Sequence, residues 1–459
     1  MLHRFTLLSF SIFLCLTGIS QKEFNIWHFG TTAIDFNSGD AVPLPVTSVV
    51  SNESTSGICN ANGELLFYSN GGNSTLNPTI QGKIWNANHQ VMPNGDLQNI
   101  AGCESTYQGI IIVPDPANGL NKTSSRYYYM LTIDCLENMI GSAHSNKGLR
   151  YTKIDMDLDN GLGDVVEKGI PIVEMPAWTS YSTDKEVLTA MPHANGNDYW
   201  ILFGHRDSIG RVLLTAGGFS APSYQAIIPY FLCASPANNK LAVHNVLYDF
   251  DPQTGLLSAP QTLAGRNACF SPDGRFLYLK DNSTLRQYDV TAANVSSTAV
   301  VLSTSASGRP ILAPDHRIYF MGDGNNPIVQ RINCPNSGGT SCDFDPSYSL
   351  QLTGTVRSGN PNYLQRTFYY PGDPCNEPLA VREEENSGLL AYPNPGSGLF
   401  RLRHNYGQLN ISITDINGRT ITSLSVKSDE QIDLRYLGSG IYFIVPEGSG
   451  RIIRFELLN

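Results

Sequence analysis

Asn267-Ala-Cys-Phe-Ser-Pro-Asp-Gly-Arg-Phe-Leu-Tyr-Leu279 reads as one strand, a tight turn and a second strand. Pro272 pre-sets φ for the turn, Asp273 can bond its own backbone, Gly274 takes the positive φ, and Phe276-Leu-Tyr-Leu279 resumes as an apolar strand. The pattern recurs as Ile58-Cys-Asn-Ala-Asn-Gly-Glu-Leu-Leu-Phe-Tyr68, as Cys233-Ala-Ser-Pro-Ala-Asn-Asn-Lys-Leu-Ala-Val243 and as Leu312-Ala-Pro-Asp-His-Arg-Ile-Tyr-Phe320. Looser copies run from Pro192 to Leu202 and from Val113 through Arg126 to Leu131. A hairpin repeated roughly every 40 to 50 residues predicts a radial array of small sheets, a β-propeller.

Blade-sized units are expected at 45–100, 105–170, 185–225, 228–262, 265–305 and 308–352, with 355–370 closing against the N-terminus. Seven blades is the expected count, with six and eight as alternatives. Phe24 to Phe29 is expected to complete the last blade. The composition agrees with an all-β chain. Of 459 residues only 15% are charged, while Gly 42, Pro 27 and Tyr 22 supply the many turns that short strands need. A net charge of −10 without any basic run excludes nucleic acid and anionic membrane surfaces as partners.

Residues 1–20 have the parts of a signal peptide: His3 and Arg4, an apolar run from Phe5 to Leu16, then Gly18-Ile19-Ser20. The run is too short to span a bilayer, which takes about 20 residues, and no later stretch is long enough, so an exported chain without a transmembrane segment is expected. Removing Cys15 leaves eight of the nine cysteines, an even number that permits disulfides. Cys334 and Cys342 are the one pair named, because Pro335-Asn-Ser-Gly-Gly-Thr-Ser341 is a loop suited to bring its ends together.

From Pro371 the composition changes to clustered Pro, Gly and acidic residues, predicting a linker over 371–389 after the propeller at 21–370. The alternative is a last-blade loop held by Cys375. A second domain of short alternating strands, 390–459, predicts a small Ig-like β-sandwich.

Two resemblances follow from these residues. Trp27-His-Phe-Gly30, Asn62-Gly-Glu-Leu-Leu-Phe-Tyr68, Ile84 to Gly95, Gly148-Leu-Arg-Tyr151 with Gly161-Leu-Gly-Asp164, His193-Ala-Asn-Gly196 and Ser358-Gly-Asn-Pro-Asn-Tyr-Leu-Gln365 resemble the N-terminal propeller of large secreted surface proteins of the Bacteroidetes. The second block resembles the C-terminal sorting domain of type IX secretion. It opens on Tyr392, Pro393, Asn394 and Pro395, carries the turn at Gly418-Arg419, and ends on Gly440-Ile-Tyr442-Phe. That resemblance implies passage through the periplasm to the outer-membrane surface or the medium, with the type IX machinery as partner of 390–459.

Chemistry is sparsely marked. Asp155, Asp157 and Asp159 have the alternate spacing of a calcium loop, but Gly161 falls one place late and Val166 stands where the closing acid belongs, so a solvated strand end is expected and no cofactor. Asp249/Asp251 and Asp343/Asp345 read as turn acids. His193 has Asp198 near it, but no nucleophile motif accompanies it, and a structural histidine in a hairpin is expected. For ligand binding the candidates are His193, Asn195 and Trp178, the tryptophan expected to be most exposed. No catalytic residue is named. The functional expectation is a non-catalytic binding or adhesion module, against a secreted polysaccharide hydrolase or lyase working in the propeller funnel, or an accessory part of a gliding or surface apparatus.

Overall fold

The computed structural model describes residues 22–45, 47–73, 79–98, 102–118, 125–135, 147–175, 186–322, 330–358, 361–372, 374–375, 390–392, 396–404, 407–415, 419–446 and 453–457. Residues 1–20, expected to be a signal peptide, and Trp178, Pro393, Asn394, Pro395 and Gly418 lie outside them. The chain divides between Asn376 and Glu377 into two compact units.

Seven antiparallel sheets make up the first unit among the described residues. One holds Ile26–Phe29, Thr32–Asp35 and Val42–Leu44, and the rest span 56–96, 110–173, 188–225, 232–262, 268–303 and 309–345. Along each sheet, strands successive in sequence are hydrogen-bonded neighbours, with one exception. In the fourth sheet Gly218–Phe219 and Ser223–Gln225 both pair with Ser208–Thr215. The first strand of each sheet packs against the first strand of the next. Sheets joined through their first strands stand radially, so the unit is a β-propeller with those strands around its axis.

Local chemistry explains the hairpins. Asp273 Oδ1 accepts the Arg275 N–H at 2.9 Å, Ser271 Oγ accepts the Phe276 N–H at 2.8 Å, and Gly274 has φ +75°. At the second blade Asn60 Oδ1 does the same work, accepting the N–H groups of Asn62 and Glu64 at 2.9 and 3.0 Å. A side chain that satisfies the turn's own donors needs no partner from elsewhere, which is why the motif repeats.

Ring closure differs from the expectation. Ile26–Phe29 turns back at Gly30 (φ +55°) and pairs with Thr32–Asp35, so the N-terminus builds a first blade of its own instead of completing the last. Closure is made by the seam with the seventh blade and by the segment after it. Arg331 Nη1 donates to Asp40 at 3.2 Å, Arg317 Nη1 to the Gly39 carbonyl at 3.3 Å, and the Tyr319 ring meets Phe36 edge-on at 5.8 Å. Thr31 N–H donates to the Thr355 carbonyl and Thr355 N–H to Thr31 Oγ1, both at 2.9 Å.

Among the described residues two disulfides are present, Cys103–Cys135 and Cys334–Cys375. The expected Cys334–Cys342 pairing is therefore corrected. The loop does bring its ends together, but through the backbone: Cys334 N–H donates to the Cys342 carbonyl at 3.0 Å, while the sulfur of Cys334 is taken by Cys375. The linker expected from 371 accordingly begins with anchored residues.

In the second unit, Leu390–Tyr392, Leu399–Arg403 and Gln431–Asp433 form one sheet. Thr420–Val426, Leu409–Asp415, Gly440–Pro446 and Ile453–Leu457 form the other, in that order. Their inner faces share one core of Phe400, Leu402, Ile411, Ile413, Ile444, Phe455 and Leu457, with Phe400 and Phe455 rings 5.1 Å apart. Two small sheets closed over one apolar layer make a β-sandwich.

Candidate functional site at the propeller axis

The axis is where all seven blades present side chains, and one stretch of chain runs along it. Asn362, 9% exposed, donates from Nδ2 to the carbonyls of Ile110 at 2.9 Å and Leu188 at 2.8 Å, the starts of the third and fourth blades' first strands. Its N–H donates to the Thr55 carbonyl at 2.8 Å, and its carbonyl accepts Ser56 Oγ at 2.8 Å. One residue thus ties three blades. Tyr363 follows, fully buried, its ring 5.5 Å from Trp27 and 5.3 Å from Phe24, with Leu364 and Phe368 behind it. Arg366 then donates to the Pro236 carbonyl, and Tyr370 N–H to the Pro272 carbonyl, in the turns at the far ends of the fifth and sixth blades' first strands. Residues 361–370 therefore pass from one face of the ring to the other and fill its centre.

At the face where the first strands begin, three blades converge over this filling. Arg309, from the seventh blade, lies 4.3 Å over the ring of Tyr107, which precedes the third. Tyr107 also meets Phe231, which precedes the fifth, edge-on at 5.5 Å. Gln108 bridges the third and fifth blades, donating to the Leu232 carbonyl at 2.9 Å and accepting the Leu232 N–H at 2.8 Å. Tyr107, Phe231 and Arg309 are half-buried and offer ring faces and a guanidinium beside solvent. Next to them the buried Glu104 carboxylate accepts the N–H of Asn52 at 2.5 Å and its Nδ2 at 2.9 Å. Asn52 Oδ1 in turn accepts Arg357 Nη1 at 2.8 Å. Arg357 has φ +56°, a conformation that costs a non-glycine residue on the order of 1–3 kcal/mol and is held by such contacts.

Thiols on the first strands are poor nucleophiles. Burial pushes Cys59 and Cys233 up to about 12, and pushes Cys269 well above its ordinary range, with Cys233 beside it adding to the effect. A thiol that stays protonated does not attack a substrate.

The residues singled out from sequence sit elsewhere. His193 and Asn195 are in the exposed turn between Leu188–Pro192 and Tyr199–His205. Its Nε2 lies 3.1 Å from the Gln253 carbonyl, its Nδ1 accepts the Asn195 N–H, and Asn195 Nδ2 donates to Asp198 at 2.7 Å. Asp155 receives a two-pronged bond from Arg126, at 2.9 Å from Nε and 2.8 Å from Nη2, and Asp157 lies 3.2 Å from the same guanidinium. These contacts engage two of the three carboxylates that a cation would need. Asp251 and Asp345 accept from Gln253, Thr254 and Ser347 within their own turns. Nothing in the local pattern marked Tyr107, Phe231, Arg309 or Asn362.

In the second unit Tyr392 donates to Asp429 at 2.5 Å, and Arg403 lies 5.1 Å over its ring. Tyr442 stacks on Phe455 at 5.7 Å and donates to the Gly438 carbonyl, while Gly440 opens the strand that carries it. Residues 390–453 match the family of secretion system C-terminal sorting domains. The protein is thus exported by the type IX system, to the cell surface or beyond it.

No curated protein matches the chain. Among solved structures it is similar to PorZ, a bacterial surface component of the type IX secretion system of Porphyromonas gingivalis. That match has 10% identity over 94% of this chain and 68% of that one, with a TM-score of 0.29. It is also similar to a TolB of Agrobacterium tumefaciens (15% identity, 57% and 87% of the two chains, TM-score 0.31). A third is Hsv2p of Kluyveromyces lactis (8%, 66% and 87%, TM-score 0.37). At these scores the likenesses carry no argument about activity.

Proposed function

We propose that the exported propeller is a non-catalytic binding or adhesion module, and that its glycan or protein ligand docks on the axial face formed by Tyr107, Phe231 and Arg309. The supporting observation is the convergence of two aromatic rings and a guanidinium from three blades over an axis filled by residues 361–370. Ring faces stack on the apolar faces of sugars and peptides, and a guanidinium donates to hydroxyl or carboxyl groups. A filled axis presents a platform rather than a funnel, which favours binding over the hydrolase or lyase reading.

The test is a glycan and surface-protein array with the mature protein, run beside a polysaccharide-degradation screen. Binding that is lost in Tyr107→Ala and Arg309→Ala supports the reading, and turnover of any polysaccharide would overturn it. Alanine variants of His193, Asn195 and Trp178 belong in the same assay. Loss of binding in those variants instead would place the ligand away from the axis.

A further inference from the structure

One stretch of the propeller joins the fourth blade to the fifth without a single charge. From Val212 to Asn239 the sequence has no Lys, Arg, Asp or Glu, in a chain of which 15% of residues are charged. Its middle, Tyr224 to Phe231, runs from the rim to the axis. At the rim the backbone of Tyr224 pairs with Gly210 in the fourth blade. At the axis Phe231 meets Tyr107 and leads directly into Leu232–Ala234, the fifth blade's first strand. Both blades pin the segment. Gln225 pairs with Ile209 of the fourth, and its side chain donates to the Leu257 carbonyl of the fifth at 2.5 Å and accepts the Leu257 N–H at 3.1 Å. His244 N–H donates to the Phe231 carbonyl at 3.0 Å. A segment held this way has little backbone left to order when a ligand arrives.

Two pairs of rings stand along it. Tyr224, 45% exposed, has its ring centroid 4.6 Å from that of His205, and half-buried Tyr230 lies 4.8 Å from His244 in the same measure. The histidines occupy the turns between the second and third strands of the fourth and fifth blades. A second strand returns to the face on which the first strand began, so both pairs flank the face that carries Tyr107 and Arg309. Ile228, 52% exposed, comes between the two tyrosines in sequence. Seven residues of chain reach at most about 25 Å, which bounds the length of the row.

We propose that this row is a track for an extended, uncharged polysaccharide chain lying from the axis to the rim across the fourth and fifth blades. The inference rests on the axial binding reading for its inner end and adds a ligand class to it. A sugar chain repeats an apolar C–H face and a polar hydroxyl edge at every unit, and tyrosine and histidine rings offer an apolar face and a polar atom to match. A folded protein partner covers a broad patch of about 800 Å² on its side, whereas these rings follow one another in single file along one segment. An acidic chain would need cations along its path, and the segment supplies none. The turn of His205 adds Arg206 and Asp207, one charge of each sign.

Isothermal titration of the mature protein tests this with neutral probes, cello-, manno- and xylo-oligosaccharides from the disaccharide to the octasaccharide, beside oligogalacturonates as the acidic series. The expected result is binding by a neutral series, with affinity rising about 2- to 10-fold for each ring the longer chain gains. Tyr224→Ala should cancel about 2- to 10-fold of that rise for the longest chains, leave the disaccharide unchanged, and be rescued by Tyr224→Phe. Tyr107→Ala should weaken every length. If affinity is flat with chain length, or Tyr224→Ala and Tyr230→Ala bind like wild type while Tyr107→Ala still loses binding, the track is overturned and the axial reading stands. Binding that is indifferent to Tyr107→Ala counts against the axial reading instead. Binding by the acidic series alone, or by no neutral series, overturns the uncharged polysaccharide.

Discussion

Acid should unseat the joint between the first and second blades through a single histidine. His28, 1% exposed, stacks on Tyr68 at 3.8 Å and 7°, and its Nδ1 lies 2.9 Å from Thr47 Oγ1. The ring's Nε2 is buried without a hydrogen-bond partner. Tyr68 is itself bound, its hydroxyl 3.0 Å from His89 Nδ1 and accepting the Ser48 N–H at 3.1 Å. Burial, with His89 adding to it, pushes His28 down to about 3. The folded state therefore keeps His28 neutral, while the unfolded chain binds a proton below its ordinary value of about 6.5. Below that pH the unfolded state holds more protons, so stability falls as pH falls, by about 1.4 kcal/mol per unit. The loss is about 2 kcal/mol by pH 5, and it continues until the folded group itself titrates near 3. His28→Phe keeps the stack and removes the titration, at a pH-independent cost of about 1 kcal/mol for the Thr47 bond. Urea unfolding followed by tryptophan fluorescence reads this unit alone, because Trp27, Trp85, Trp178 and Trp200 all precede residue 376. Between pH 7.5 and 5, wild type should lose about 2 kcal/mol more than His28→Phe. Equal losses in the two proteins would refute the reasoning.

Asn362→Ala strips the Ile110 and Leu188 carbonyls of their side-chain donor inside the axis. At about 1–3 kcal/mol for each buried polar group left unpaired, it should lower the urea midpoint clearly without changing the spectrum of the folded protein. Gly30→Ala would set a Cβ 2.0 Å from the Thr355 carbonyl oxygen at φ +55°, so it should destabilise more than an alanine at the open Gly196 turn, as a thermal melt of the two variants will measure.

The repeating blades were legible because their signal is local. At Ser271 to Phe276 and at Asn60 to Glu64 the turn residues satisfy each other within five positions, so the sequence carries the whole argument. Five of the six blade-sized units expected from 45 to 352 each contain one of the later sheets, and the unit expected at 105–170 stops three residues short of the end of its sheet at Val173. What escaped was held by distant partners. Gln108 meets Leu232 across 124 positions, and Asn362 meets Ile110 across 252, in segments with no strand period to mark them. The first blade was misassigned because Ile26–Phe29 is an aromatic strand that could pair with either end of the ring. Only the reversal at Gly30 decides between them. Cys334 illustrates the same limit: its loop correctly implied that residues 334 and 342 lie together, yet which sulfur it bonds depends on where a chain 41 residues later returns.

The central claim, export through the C-terminal sandwich, is tested most directly by deleting residues 452–459. This removes the edge strand Ile453–Leu457, and with it Phe455 and Leu457, two residues of a core shared by only two small sheets. Losing a buried aromatic alone costs about 3–5 kcal/mol, enough to unfold a unit of this size. The measurement is fractionation of cells producing the intact and shortened chains, with the propeller detected in each compartment. The account predicts that the intact protein reaches the surface or medium while the shortened one accumulates in the periplasm with its propeller folded. Equal delivery of both to the surface would contradict it.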